Sequence, residues 1–281
     1  MIEILIAIGI LSGLGLIFGL VLAAASKLFY VETDPRLDAL NECLPGANCG
    51  GCGYAGCSAY AEAVLAAEAP IGACASGGNE CAQAMSAIMG VQVGEMKPKV
   101  AFVRCSGYRR VDDSGKEQGA KKKAEYEGFK DCLAASKVGG NGPIACKYGC
   151  LGFGSCTKAC KYDAIHIVDG VAKVDENKCV GCMACTRVCP RGVITAVEYD
   201  KQVFIPCASH AKGAVTVRGC SQGCIGCGLC MKICPEKAIS LDRNLAVIDY
   251  EKCVSCGLCA TVCPKKLIVS HAEVPAEAAV K

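Results

Sequence analysis

Cys179-Val-Gly-Cys182-Met-Ala-Cys185-Thr-Arg-Val-Cys189-Pro190 places four cysteines at x2, x2 and x3 spacing and closes the run with proline. The pattern returns as Cys224-Ile-Gly-Cys227-Gly-Leu-Cys230-Met-Lys-Ile-Cys234-Pro235 and as Cys253-Val-Ser-Cys256-Gly-Leu-Cys259-Ala-Thr-Val-Cys263-Pro264. Thiolates this close in sequence suit one metal centre, and this spacing with a terminal Cys-Pro is that of [4Fe–4S] ligands. The chain has 26 cysteines in 281 residues. A secreted disulfide scaffold is the ordinary reading of such density, but the tight runs and the lack of an export signal stand against it. Zinc also binds paired CxxC motifs, yet it leaves the four-cysteine run ending in Cys-Pro unexplained.

Composition agrees with a fold stapled by metal. The chain is 52% hydrophobic, but aromatics are 5% and there is no Trp, so metal centres must supply stability that large apolar side chains do not. The formal charge of +3 counts every cysteine as neutral. Each [4Fe–4S] core held by four thiolates carries about −2, so five such sites would bring the loaded protein to about −7. The basic residues therefore do not argue for nucleic acid; they offset cluster charge or meet an acidic partner.

Ile4 to Ala25 is uncharged and apolar, bracketed by Glu3 and Lys27. As a helix it would span about 33 Å, enough for the bilayer core. A signal peptide would need a positive start and a shorter run, so a transmembrane anchor over 1–27 is expected. All Lys and Arg residues follow the stretch, which puts the rest of the chain on the cytoplasmic side of the inner membrane. Gly9, Gly13, Gly15 and Gly19 give small-xxx-small pairs suited to a partner membrane helix. Beyond a connector at Leu28–Leu40, the expected units are a single-cluster domain (28–95), a first two-cluster unit (96–201), a second (202–271) and a disordered tail (272–281). Asp112–Lys123 is expected to be a solvated loop and, with Leu28–Leu40, a hinge. The fold class is α+β: an N-terminal transmembrane helix, a small [4Fe–4S] domain and two tandem ferredoxin-like units.

The two units repeat one another. Val103-Arg104-Cys105-Ser106 matches Ile205-Pro206-Cys207-Ala208, and the pair Cys146/Cys150 matches Cys220/Cys224. The run Cys150–Cys156–Cys160 then aligns with Cys224–Cys230–Cys234, with Phe153 where the second unit has Cys227. Cys146, four residues before Cys150, is the replacement that spacing offers. In two-cluster ferredoxins the fourth cysteine of each run ligates the other cluster. The expected sets are therefore Cys146, Cys150, Cys156 and Cys189; Cys179, Cys182, Cys185 and Cys160; Cys224, Cys227, Cys230 and Cys263; and Cys253, Cys256, Cys259 and Cys234. Ala164–Val168 and Val171–Val174 read as a hairpin around Asp169-Gly170, as do Ala238–Leu241 and Leu245–Ile248 around Arg243-Asn244. Short helices should follow the third cysteine of each run.

Upstream, Cys49-Gly-Gly-Cys52-Gly-Tyr-Ala-Gly-Cys57, with Cys74 further on, reads as a fifth site whose glycines let the loop wrap a cluster. Cys43 and Cys81 are alternates. Cys105, Cys132, Cys207 and Cys220 are left as packed thiols or as members of a sixth site. His166, His210 and His271 show no ligand spacing. No Rossmann fingerprint, P-loop or nucleophile elbow is present, so neither NAD binding nor bond chemistry by this chain alone is expected.

Together the anchor, the Cys49–Cys57 segment, Cys74-Ala-Ser-Gly-Gly and the ferredoxin runs resemble the B subunits of Rnf electron-transport complexes, in their longer, cluster-rich form. The resemblance implies a subunit of an ion-translocating ferredoxin:NAD⁺ oxidoreductase. It would carry five [4Fe–4S] clusters and take electrons from a soluble ferredoxin or flavodoxin. Other Rnf subunits would receive the electrons, with flow coupled to Na⁺ or H⁺ transport. Competing readings are a membrane-tethered polyferredoxin serving a hydrogenase or another reductase, a redox sensor and a zinc scaffold.

Overall fold

The computed structural model of the chain describes residues 2–28, 34–94, 97–107, 110–111, 115 and 117–272. Its first element is a 27-residue helix, α1 (Ile2–Leu28), with Lys27 in the last turn. The described side chains from Leu14 to Leu22 stand exposed, and a Cβ added at Gly9, Gly13, Gly15 or Gly19 would meet nothing within 4 Å. Among the described residues no helix is long and apolar enough to cross a membrane. The side chains of 2–5, 7, 8, 10 and 11, within the expected span or beside it, lie outside those described.

Residues 29–33 also lie outside the described residues. The connector expected over Leu28–Leu40 is shorter than that, because its second half is helix α2 (Pro35–Glu42). Asp34 starts this helix, its carboxylate accepting from the Arg36 N–H at 2.9 Å, with Pro35 in the first turn. Leu40 on α2 is fully buried with Tyr60 and Val64 of α3 (Cys57–Leu65) and Met85 of α4 (Gly78–Met89). Tyr60 ties this small core to its loop: its hydroxyl donates to Pro70 O at 2.9 Å and accepts from Ala73 N at 3.1 Å.

The first ferredoxin-type unit is closed by its ends. Strand β1 (Lys99–Val103) pairs with a strand near the unit's far end, Ile194–Glu198. Between them come the two-residue strands β2 (Arg110–Val111) and β3 (Glu117–Gln118), paired with each other. Helix α5 (Cys132–Lys137), helix α6 (Ser155–Ala159), the hairpin β4 (Ile165–Val168) and β5 (Val171–Val174), helix α7 (Ala184–Val188) and the closing strand itself, β6, follow. The second unit repeats the plan: β7 (Val203–Phe204), α8 (Gly213–Gly219), α9 (Leu229–Ile233), hairpin β8 (Ile239–Asp242) and β9 (Leu245–Ile248), α10 (Leu258–Thr261), and β10 (Val269–Ser270) back on β7. In both hairpins the two turn residues have positive φ, 52° and 72° at Asp169-Gly170 and 42° and 71° at Arg243-Asn244, the backbone of a type I′ turn. The short helices do not follow the third cysteine but contain it. A left-handed residue (Gly154, Met183, Gly228 or Gly257) turns the chain into helix just before each.

The loop expected at Asp112–Lys123 is corrected over its described end. Residues 112–114 and 116 lie outside the described residues, but Gly119–Lys123 is bridged to both units, Ala120 pairing antiparallel with Cys220 and Lys122 with Ile144. The Lys121 N–H donates to Gly219 O at 2.8 Å and its carbonyl accepts from Ala145 N at 2.8 Å, while Ser221 N donates to Gly119 O at 2.9 Å. Phe102 stacks on Phe204 at 4.9 Å across the same junction. A segment held from both sides by backbone hydrogen bonds fixes the two units to each other. The tail from 273 onward lies outside the described residues.

Candidate iron–sulfur sites

Four loops share one backbone. The second and fourth residues after the leading cysteine have positive φ in each: Gly152 and Gly154, Gly181 and Met183, Gly226 and Gly228, Ser255 and Gly257. Met183 and Ser255 adopt that conformation without being glycine, an uncommon state held only where the surroundings demand it. The loop carrying Phe153 keeps the same path, so its shape is that of a ligand loop although one ligand is missing. Backbone N–H groups turn toward the sulfurs: Ala101 N to Cys179 Sγ at 3.4 Å, Ala164 N to Cys160 Sγ at 3.5 Å, Ala238 N to Cys234 Sγ at 3.3 Å and Gly51 N to Cys49 Sγ at 3.4 Å. Such donors stabilise charge on a ligating thiolate and tune the centre it holds.

The cavities between these loops collect the cysteines in sets of four. Cys224, Cys227 and Cys230 line one cavity with Cys263, and Cys253, Cys256 and Cys259 line another with Cys234. Cys49, Cys52, Cys57 and Cys74 line a third; Cys43 and Cys81 do not. Cys179, Cys182, Cys185 and Cys160 are electrostatic neighbours: burial pushes the Cys185 thiol up to about 11, with further pushes from Cys179, Cys182 and Cys160. Among the described residues no three His, Cys, Asp or Glu side chains converge tightly enough to hold a single metal ion. The sulfurs line cavities instead, a donor set of soft thiolates of the kind that holds iron–sulfur centres.

The remaining cavity differs in its lining from the set expected from spacing. Cys150, Cys156 and Cys189 share their cavity with Cys132, not Cys146. Burial pushes the Cys156 thiol up to about 12, with Cys150, Cys132 and Cys189 adding to it. Cys132 arrives through a contact between α5 and α6. The Asp131 carboxylate caps α5 by accepting from Leu133 N at 2.8 Å and Ala134 N at 3.1 Å. Ser155 Oγ donates to Asp131 at 2.7 Å and accepts from Cys132 N at 2.9 Å. This clip lays the start of α5 against the start of α6, where Cys156 sits. Phe153 packs instead against Tyr126, ring centroids 5.1 Å apart. Arg191 lines the same cavity, its buried Nε without a partner among the described residues, a cation placed to offset cluster charge.

The N-terminal unit docks on the loop of Cys182. An added Cβ at Gly51 would lie 2.8 Å from the Cys182 carbonyl oxygen, an approach only glycine permits. Tyr162 Oη donates to Ser76 Oγ at 3.0 Å, Lys161 Nζ to Asn48 O at 3.0 Å and Arg187 Nη1 to Gly50 O at 2.9 Å. Lys161 stands where the other runs have proline, and this contact gives its role. The histidines are elsewhere: His166 bonds the Asp163 carbonyl, His210 the Asp242 carbonyl, and His271 packs edge-on to Phe204.

Three family models match: "Putative Fe-S cluster" over residues 44–76, "4Fe-4S binding domain" over 171–194 and "4Fe-4S dicluster domain" over 223–267. Among curated proteins the chain is 44% identical to the B subunit of the Na(+)-translocating ferredoxin:NAD(+) oxidoreductase complex of Acetobacterium woodii, over 89% of this chain and 73% of that protein. It is 42% identical to the B subunit of the proton-translocating ferredoxin:NAD(+) oxidoreductase complex of Clostridium ljungdahlii, over 84% and 81%. It is 40% identical to the B subunit of the ion-translocating oxidoreductase complex of Methanosarcina acetivorans, over 88% and 90%.

Proposed function

The chain belongs to the family of B subunits of ion-translocating ferredoxin:NAD⁺ oxidoreductases, the Rnf complexes, and we propose that it is the subunit that receives electrons from a reduced soluble ferredoxin or flavodoxin. It is an iron–sulfur electron-transfer subunit, and its complex is membrane-associated. A [4Fe–4S] centre takes up and gives back single electrons. The chain's own part is to hold such centres, set their potentials and keep them near one another.

We take five ligand sets, four of them supported by shared cavities and the set of Cys185 by its charged neighbours: Cys49, Cys52, Cys57 and Cys74; Cys160, Cys179, Cys182 and Cys185; Cys132, Cys150, Cys156 and Cys189; Cys224, Cys227, Cys230 and Cys263; Cys234, Cys253, Cys256 and Cys259. The close approach of Gly51 to the Cys182 carbonyl supports the reading most directly, because the N-terminal site would then lie beside the site of Cys182 and extend a row of sites. We take the units as 28–95, 96–201 and 202–271, and α1 as a single-pass anchor that leaves them on the cytoplasmic side of the inner membrane. The other Rnf subunits accept the electrons and supply NAD and ion sites, the ion being Na⁺ or H⁺.

Mixing the anaerobically purified full chain with reduced ferredoxin tests the donor. Oxidation of ferredoxin with matched bleaching of this chain's visible absorption is expected. Ferredoxin that stays reduced, while dithionite bleaches the chain, would contradict the proposal.

A further inference from the structure

We infer that Cys105, Cys146, Cys207 and Cys220 hold a sixth [4Fe–4S] cluster, seated between the two ferredoxin-type units. The inference rests on the preceding assignment for the kind of centre and goes beyond it in place and ligands. These four cysteines line one cavity of about 250 Å³, and none is in a disulfide. Each unit contributes two of them, at matching positions of the repeat.

The match extends to atoms. Cys105 Sγ accepts from Gly107 N at 3.5 Å and Cys150 N at 3.4 Å; Cys207 Sγ accepts from Ser209 N at 3.5 Å and Cys224 N at 3.4 Å. An added Cβ at Gly149 would lie 3.6 Å from Cys146 Sγ, and one at Gly223 would lie 3.6 Å from Cys220 Sγ. The four sulfurs thus form two matching pairs, two of them with paired N–H donors, as expected for ligating thiolates. Thiols that merely filled a core would close up to ordinary packing density; these surround a void. Arg104 and Lys147 line it, and the buried Nε of Arg104 has no partner among the described residues, which supplies positive charge for a cluster carrying about −2.

Its place gives it a use. The N–H of Cys150 bonds Cys105 and the N–H of Cys224 bonds Cys207, and Cys150 and Cys224 belong to the sites on either side. A centre here joins the two units electronically and clasps them mechanically.

The test is native mass spectrometry of the full chain in detergent, with iron, sulfide and zinc analysis, on wild type, Cys207→Ala, Cys220→Ala and Cys43→Ala. The expected wild-type content is about 24 iron and 24 sulfide. Each of the first two variants should lose about four of each, and Cys43→Ala should lose none. A wild type at about 20 iron with unchanged variants overturns the sixth site and leaves the other five. One zinc that disappears in Cys207→Ala overturns it too. A wild type of little iron and much zinc overturns the five-site assignment itself. Where the variants lose all iron by failing to fold, the wild-type mass decides.

Discussion

Cys132→Ala combined with Cys207→Ala removes about eight iron per chain, whereas Cys146→Ala combined with Cys207→Ala removes only about four. The contrast follows from which cavity each cysteine lines. Cys132 stands with Cys150, Cys156 and Cys189, and Cys146 stands with Cys105, Cys207 and Cys220. Variants striking different sites add; two that strike one site do not. Iron and sulfide analysis of the purified full-length doubles reads the difference. With Cys132 and Cys207 in a sixth site, spacing predicts the opposite: Cys146 would serve the Cys150 site, its double with Cys207 would be the additive one, and a loss of about eight there would restore that assignment; with both as packed thiols, the Cys146 double loses about four and the Cys132 double none.

Cys182→Ala has the largest effect on turnover. Its site lies between the N-terminal unit and the rest of the row, with its carbonyl oxygen 2.8 Å from where a Cβ on Gly51 would sit. In the assembled complex, ferredoxin-dependent NAD⁺ reduction should fall to the level of a complex lacking this chain, with about four iron lost. Cys43→Ala, outside the described cavities, should keep full activity. Undiminished turnover in Cys182→Ala despite the iron loss would show that electrons do not need this site, and so that the row is not the path.

The three runs ending in Cys-Pro and the crossing of fourth ligands predict the cysteines that line the two cavities of the second unit, because ligand spacing within a run is local chemistry. Both type I′ hairpins are legible for the same reason, through Asp169-Gly170 and Arg243-Asn244. Cys132 is not: it reaches its site through a clip between Asp131 and Ser155, 24 residues apart in sequence, and no spacing rule reports such a contact. The repeat does hold a signal. Cys146 and Cys220 occupy matching positions, so a reading that makes one a ferredoxin-site ligand and the other a packed thiol breaks the symmetry of the units. The bridged segment at Gly119–Lys123 is hidden because its polar, glycine-bearing sequence reads as solvent loop, while its partners lie near residues 143–145 and 219–221. That pairing, with the Phe102–Phe204 stack, sets the two halves of the four-cysteine set against each other.

The most direct test of the account is the content of iron, acid-labile sulfide and zinc per chain in the anaerobically purified full-length protein. About 24 iron, an equal amount of sulfide and little zinc is the predicted result; about 20 would keep the electron-transfer assignment without the inter-unit site. Stoichiometric zinc with little iron would contradict the electron-transfer assignment and leave a structural metal scaffold.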